Sequence, residues 1–247
     1  MCARSQDIGR HLSSMLLGDG ERWLVAVEVF SAFLDESGTG DKSPIVTVAG
    51  FYGDKERWTK FRELWEPHSF GFHARYSDSC FEELCSAIEG SEINGIFVCA
   101  GKEEYKLLAT EHMKTFLGNP YSVCAFLCAL KICGEVQAPT AFVLEHGQPN
   151  LRWVKEILEA MMDVGGEPIS SVTSARKQDF IELHPADFVS HAACFYPEHD
   201  SWLTRLSDAR RLFCADVTAE VLKKAAPEIT AIVKRAKNQR LKAKRNR

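Results

Sequence analysis

Two apolar, β-branched runs separated by one turn restrict the folds open to this chain more than any other feature. From Val29 to Asp35 the residues are almost all apolar, β-branched or aromatic, the composition of a central strand buried on both faces. Gly38-Thr39-Gly40-Asp41 reads as a turn, and Pro44 to Tyr52 is a second run of the same kind. So short a connection implies an antiparallel hairpin. Asp54 then begins a helical pattern with Trp58, Phe61, Leu64 and Trp65 on one side, ending near Pro67. Ser79 to Glu89 is a second helix, with Phe81, Leu84, Cys85 and Ile88 at i, i+3, i+4 and i+7. Further strands are expected at Ile93 to Ala100, Thr140 to Glu145 and Ile169 to Thr173. Helices are expected within Glu103 to Gly134 and at Asn150 to Met162, Pro185 to Phe195 and Asp208 to Lys237. A hairpin followed by alternating helices and strands predicts an α/β fold with a mixed sheet and helices on its faces.

The chain has 247 residues, 45% hydrophobic and 26% charged, enough for a sizeable core and unlike a disordered segment. No apolar run approaches the roughly 20 residues of a membrane-spanning helix; the longest candidate, Trp23 to Leu34, is interrupted by Glu28. No apolar stretch with a small-residue cleavage site marks a secretory signal, so no membrane partner is expected and a cytoplasmic location is the default. Without repeats or a Pro/Gly/Ser-rich linker, one domain over 29–231 is expected, between an N-terminal extension (1–28) and a basic tail (232–247). None of the nine cysteines forms a Cys-x-x-Cys pair. Cys124, Cys128 and Cys133 fall at helical spacing and read as buried small hydrophobes, with a metal or redox role as the alternative.

The net charge of −4 is unevenly spread. The tail holds Lys234, Arg235, Lys237, Arg240, Lys242, Lys244, Arg245 and Arg247 with no acid, which leaves 22 basic against 34 acidic side chains before it. The body therefore repels a phosphate backbone at long range, and the tail could hold a polyanion nearby. The alternative is a solvated helix end.

Three acids stand where sites form. Asp35 ends an apolar strand on the same side as Phe33 and Ser31, while Glu36 falls with Leu34 and Ala32, so only one of this pair should face a given site. Glu145 closes the strand Thr140 to Leu144, and Asp187 lies on the first turn of the helix begun by Pro185, with His191 one turn later. Sites in open α/β sheets form beyond the carboxyl ends of strands, where converging acids repel unless a cation joins them. Oxygen-only ligands suit Mg²⁺ or Mn²⁺, and two such ions about 4 Å apart can cleave a phosphodiester. Each acid also has a structural reading: Asp35 as a turn residue before Gly38, Glu145 as a strand stop, and Asp187 as a partner for backbone N–H groups at a helix start. Gly38-Thr39-Gly40-Asp41-Lys42-Ser43 is no phosphate-binding loop, because it lacks the spaced first glycine and leads into a strand.

These residues resemble a bacterial and phage family known as domain of unknown function 3800. The matching elements are Phe33-Leu34-Asp35-Glu36-Ser37-Gly38, Gly50-Phe51, the spaced Trp58 and Trp65, Phe72-His73-Ala74, and His184-Pro185-Ala186-Asp187-Phe188 for the family's Gln-x-Ala-Asp-Φ. The match runs from about Phe30 to Tyr196. His184 replaces the usual Gln, and Glu145 stands where Asp is commoner. The resemblance implies a ribonuclease H-like fold and a metal-dependent nuclease of DNA or RNA, with Asp35 and Asp187 as carried-over acids. The combined reading is a Mg²⁺- or Mn²⁺-dependent nuclease with Asp35, Glu145 and Asp187 as ligands. Glu36, Ser37, His73, His184 and His191 would be supporting or substrate contacts. The rival is an inactive module of the same fold that binds nucleic acid or protein.

Overall fold

In a computed structural model of the protein, the described residues are 29–40, 43–108, 119–147, 151–164, 168–195 and 200–218, with helical positions scattered between 220 and 241. The N-terminal extension (1–28) lies outside them.

Among the described residues six strands form one sheet: β1 (Phe30–Ser37), β2 (Ile45–Gly53), β3 (Asn94–Gly101), β4 (Thr140–Glu145), β5 (Ile169–Ala175) and β6 (Leu212–Asp216), in the order β5-β4-β1-β2-β3-β6. β1 and β2 make the expected antiparallel hairpin, with Phe33 opposite Phe51, and β2 pairs antiparallel with β3. The β1–β4, β4–β5 and β3–β6 pairs are parallel, so β2 alone runs against the others. β1 is central, which explains its unbroken apolar run. Helices cover both faces, and the chain is an α/β protein with the mixed sheet that the hairpin and the alternating elements predict.

On one face lie α1 (Lys55–Trp65), α2 (Phe81–Ser91) and α6 (His184–Phe195), whose Phe61, Trp65, Phe81, Leu84 and Phe188 pack with Phe33 and Phe51. Asp54 caps α1 by accepting the Arg57 N–H at 2.8 Å. The other face carries α4 (Pro120–Val136) and α5 (Leu151–Val164), against Ala32, Leu34 and Phe142. α4 starts at an Asn119 cap with Pro at its first position and is apolar on most sides, as its buried placement requires. It can approach β2 because position 50 is glycine: a Cβ there would stand 2.9 Å from the Cys128 sulfur. Burial pushes the Cys85 thiol up to about 12 and raises Cys124 and Cys128 too, so these cysteines act as small core residues. α3 (Lys102–Leu108) follows β3 directly.

One expectation is overturned. The helix anticipated from Asp208 to Lys237 does not begin there: α7 (Asp200–Asp208) ends at that point, Arg210 is in the left-handed region (φ 57°) and β6 follows, while the described positions between 220 and 235 are helical as expected. Leu212 turns inward while Phe213 is 53% exposed. So short a run fits strand or helix equally, and the open edge of β3 decides, with Gly95 N–H donating to Arg211 O at 2.6 Å.

Candidate functional site

The site is built at the carboxyl ends of three adjacent strands. The β1–β4 ladder closes at Leu34 opposite Leu144, which places Asp35 and Glu145 one step beyond it, side by side. β4 and β5 remain paired to Glu145 opposite Ala175, and two residues later the turn after β5 presents Lys177. α6 lies over the same edge and brings Asp187 down on its first turn. Gly38 lets the chain leave β1 here: its φ is +80°, and a Cβ would stand 2.2 Å from the Ile45 carbonyl oxygen.

Lys177 is the centre of the arrangement. Its Nζ lies 3.2 Å from Asp35 Oδ2, 3.0 Å from Glu145 Oε1 and 2.9 Å from Asp187 Oδ1, and the residue is 8% exposed. The structure thus brings Asp35, Glu145 and Asp187 together around an ammonium that sequence reasoning missed. A single Lys ten residues before Asp187 carries no motif, and only the turn after β5 points it inward. Its backbone is pinned as well. Trp65 Nε1–H donates to His184 Nδ1 at 2.9 Å, which leaves the His184 proton on Nε2, and Nε2–H donates to the Lys177 carbonyl at 3.1 Å. Burial holds His184 down to about 4, in keeping with this neutral ring. His184 is 3% exposed and positions Lys177.

The pair Asp35 and Glu36 departs from the expectation that only one could face the site. Their side chains do leave opposite faces of the sheet, Glu36 toward Tyr121 of α4, but at a strand end both reach the edge. One oxygen each of Asp35, Glu36 and Glu145 lies within 4.8 Å of the others. Glu36 is 7% exposed; Tyr121 hydrogen-bonds its carboxyl, yet Oε1 is buried with no hydrogen-bond partner among the described residues. Tyr121 also lines a cavity of about 580 Å³ with Lys102, Tyr105, Lys106 and Asn119.

One ammonium faces four carboxyl groups, and their titration reflects the shortfall. Burial pushes Asp35 well above the usual carboxylate range despite Lys177, and burial together with Glu145 does the same to Glu36. Asp187 differs. Burial works upward on it too, but Lys177, the Ala74 N–H donating to Oδ2 at 2.9 Å, and His73 outweigh this and hold it below its ordinary value.

The other expected residues are placed nearby. His73 begins the turn Ala74–Tyr76, with a half-exposed ring whose Nδ1 lies 3.8 Å from Asp187 Oδ2 and accepts the Arg75 N–H. Ser37 Oγ is 3.3 Å from Ser190 Oγ, tying the end of β1 to α6 rather than joining the acids. His191 is buried with its ring 5.0 Å from that of Phe195. In the basic tail, Lys234 and Arg235 are exposed beyond a buried Thr230 and an Ile232 packed on the core. Lys237, Arg240, Lys242, Lys244, Arg245 and Arg247 lie outside the described residues. Among the described residues no helix is long and apolar enough to cross a membrane.

No protein-family model matches the chain, and no curated protein does. Several solved structures are similar. A mutant protein of Bst-RNase HIII is 14% identical over 74% of this chain and 55% of its own, with a TM-score of 0.45. Bst-RNase HIII in complex with Mn²⁺ is 16% identical over 85% and 70%, with a TM-score of 0.46. RNase HII from Archaeoglobus fulgidus, solved in a complex with PCNA, is 17% identical over 72% and 77%, with a TM-score of 0.44. The chain thus spans little more than half the length of the first of these.

Proposed function

We propose that this protein is a divalent-metal-dependent phosphodiesterase acting on nucleic acid, with the cup of Asp35, Glu36, Glu145 and Asp187 as its centre. The observation that carries the reading is the buried Glu36 Oε1, which has no hydrogen-bond partner among the described residues and belongs to a carboxylate that comes within 4.8 Å of Asp35 and Glu145 at adjacent strand ends. A buried acceptor left unmatched costs about 1–3 kcal/mol and is kept where something fills it. The donors are all carboxylate oxygens, they carry more charge than Lys177 neutralises, and they suit Mg²⁺ or Mn²⁺. Such an ion supplies Lewis acidity toward a phosphoryl oxygen and activates water. The chain itself provides the rest. Asp35 and Glu145 fix the cup through the sheet, and Asp187 steadies Lys177 from α6. His73 at the rim, whose Nδ1 accepts a backbone N–H, carries its proton on Nε2, available to a leaving oxygen. The basic tail would hold the polyanion that the acidic body repels.

The test is cleavage of single- and double-stranded DNA and RNA with and without Mg²⁺ or Mn²⁺. Cleavage is expected with metal alone, and D35N and D187N should each lower it by roughly 10³-fold or more. Equal activity in these variants would reject the assignment. A second reading has its own observation: Lys177 Nζ already bonds three of the four acids, as in a centre that binds nucleic acid or protein without cutting it. It predicts no metal-dependent cleavage, and nucleic-acid binding that weakens and loses salt dependence when 232–247 is removed.

A further inference from the structure

We propose that Lys177 is the resident second cation of this centre, so that the cup takes one divalent ion, held by Asp35, Glu36 and Glu145. This rests on the metal-dependent reading above and divides the acids between two cations. Two-ion phosphodiesterases place their cations about 4 Å apart across shared carboxylates. Here one of the two places is filled by the chain. An ammonium has three N–H donors, and Asp35, Glu145 and Asp187 supply three acceptors at 2.9–3.2 Å. The acids whose oxygens come within 4.8 Å of one another are Asp35, Glu36 and Glu145; Asp187 is outside that group, its Oδ1 taking Lys177 and its Oδ2 the Ala74 N–H. Glu36 is the reverse case: it leaves the opposite face of the sheet, and its Oε1 has no hydrogen-bond partner among the described residues. Asp35 and Glu145 stand between, close to Lys177 on one side and to Glu36 on the other. Lys177 cannot readily vacate its place, because its carbonyl is anchored through His184 to Trp65 and its side chain is only 10% exposed.

The division is tested by titrating the full chain with Mn²⁺, using calorimetry and the electron paramagnetic resonance of free Mn²⁺, in the wild type and in E36Q, D187N and K177Q. One ion per wild-type chain is expected. E36Q should weaken binding at least tenfold, whereas D187N should leave it within about threefold, and K177Q should admit a second ion. Two ions in the wild type, or D187N weakening binding as much as E36Q, would overturn the proposal while leaving the metal-dependent reading intact. No binding to the wild type would remove both. Should K177Q fail to fold, the wild-type stoichiometry and the contrast between E36Q and D187N still decide.

Discussion

Among the described residues, acids gather around a cation twice, and the two clusters end differently. On the surface between α2 and α7, the Arg205 guanidinium bonds both oxygens of Glu89 at 2.7 and 2.9 Å, Glu82 at 2.7 Å and Ser86 Oγ at 3.1 Å. Donors and acceptors match, and the bond from Arg205 holds Glu89 below the usual carboxylate range. At the strand ends, Lys177 faces four carboxyl groups in a nearly water-free setting, and burial keeps Asp35 and Glu36 above that range. A matched cluster at the surface fastens two helices. A buried cluster short of positive charge holds free energy that a ligand can release, so the shortfall distinguishes the candidate site from an ordinary salt bridge.

Removing each cation puts that contrast to the test. K177M strands three buried carboxylates and should cost about 3–5 kcal/mol at pH 7 by urea unfolding, part of it restored by Mn²⁺. A loss as small as that at a surface pair would show the two clusters to be alike. His184, which holds the Lys177 backbone, gives the next effect. Its folded pKa, about 4, lies below the ordinary value of 6.5, so the unfolded chain takes up the proton first. The contribution is complete above pH 6.5 and is lost as the pH falls through 4, on the order of 3 kcal/mol in all. H184Q can keep both hydrogen bonds through its amide, and its stability should fall less steeply over that window. E36Q should act in the opposite sense. A carboxyl whose pKa is raised stabilises below its ordinary pKa and loses that stability as pH rises, so the amide should be more stable than wild type at pH 8 by about 1–2 kcal/mol while losing metal binding. The smallest effect belongs to R205A, about 1 kcal/mol or less, disappearing in 1 M salt.

Much of this was legible along the chain. The hairpin, the strand ending at Glu145 and the apolar faces of α1 and α2 follow from local pattern, because burial on one or both faces imposes its period on the residues. Asp35, Glu145 and Asp187 could be picked out because acids at strand ends and helix starts occupy known places relative to a sheet. β6 could not be read correctly, since Leu212–Asp216 becomes a strand only by pairing with the edge of β3. Nor could Lys177, whose importance lies in three partners from distant segments.

The sequence alone determined which segments are strands buried on both faces, where the acids end them, and that Cys124, Cys128 and Cys133 fall at helical spacing as small buried residues. Those are properties of neighbours in the chain. Tertiary structure decided that Asp35 and Glu36 reach one edge from opposite faces, that Asp187 is matched while Glu36 is not, and that an ammonium stands among them. Electrostatic balance in a buried place depends on which charges meet through space, and no local pattern records that meeting.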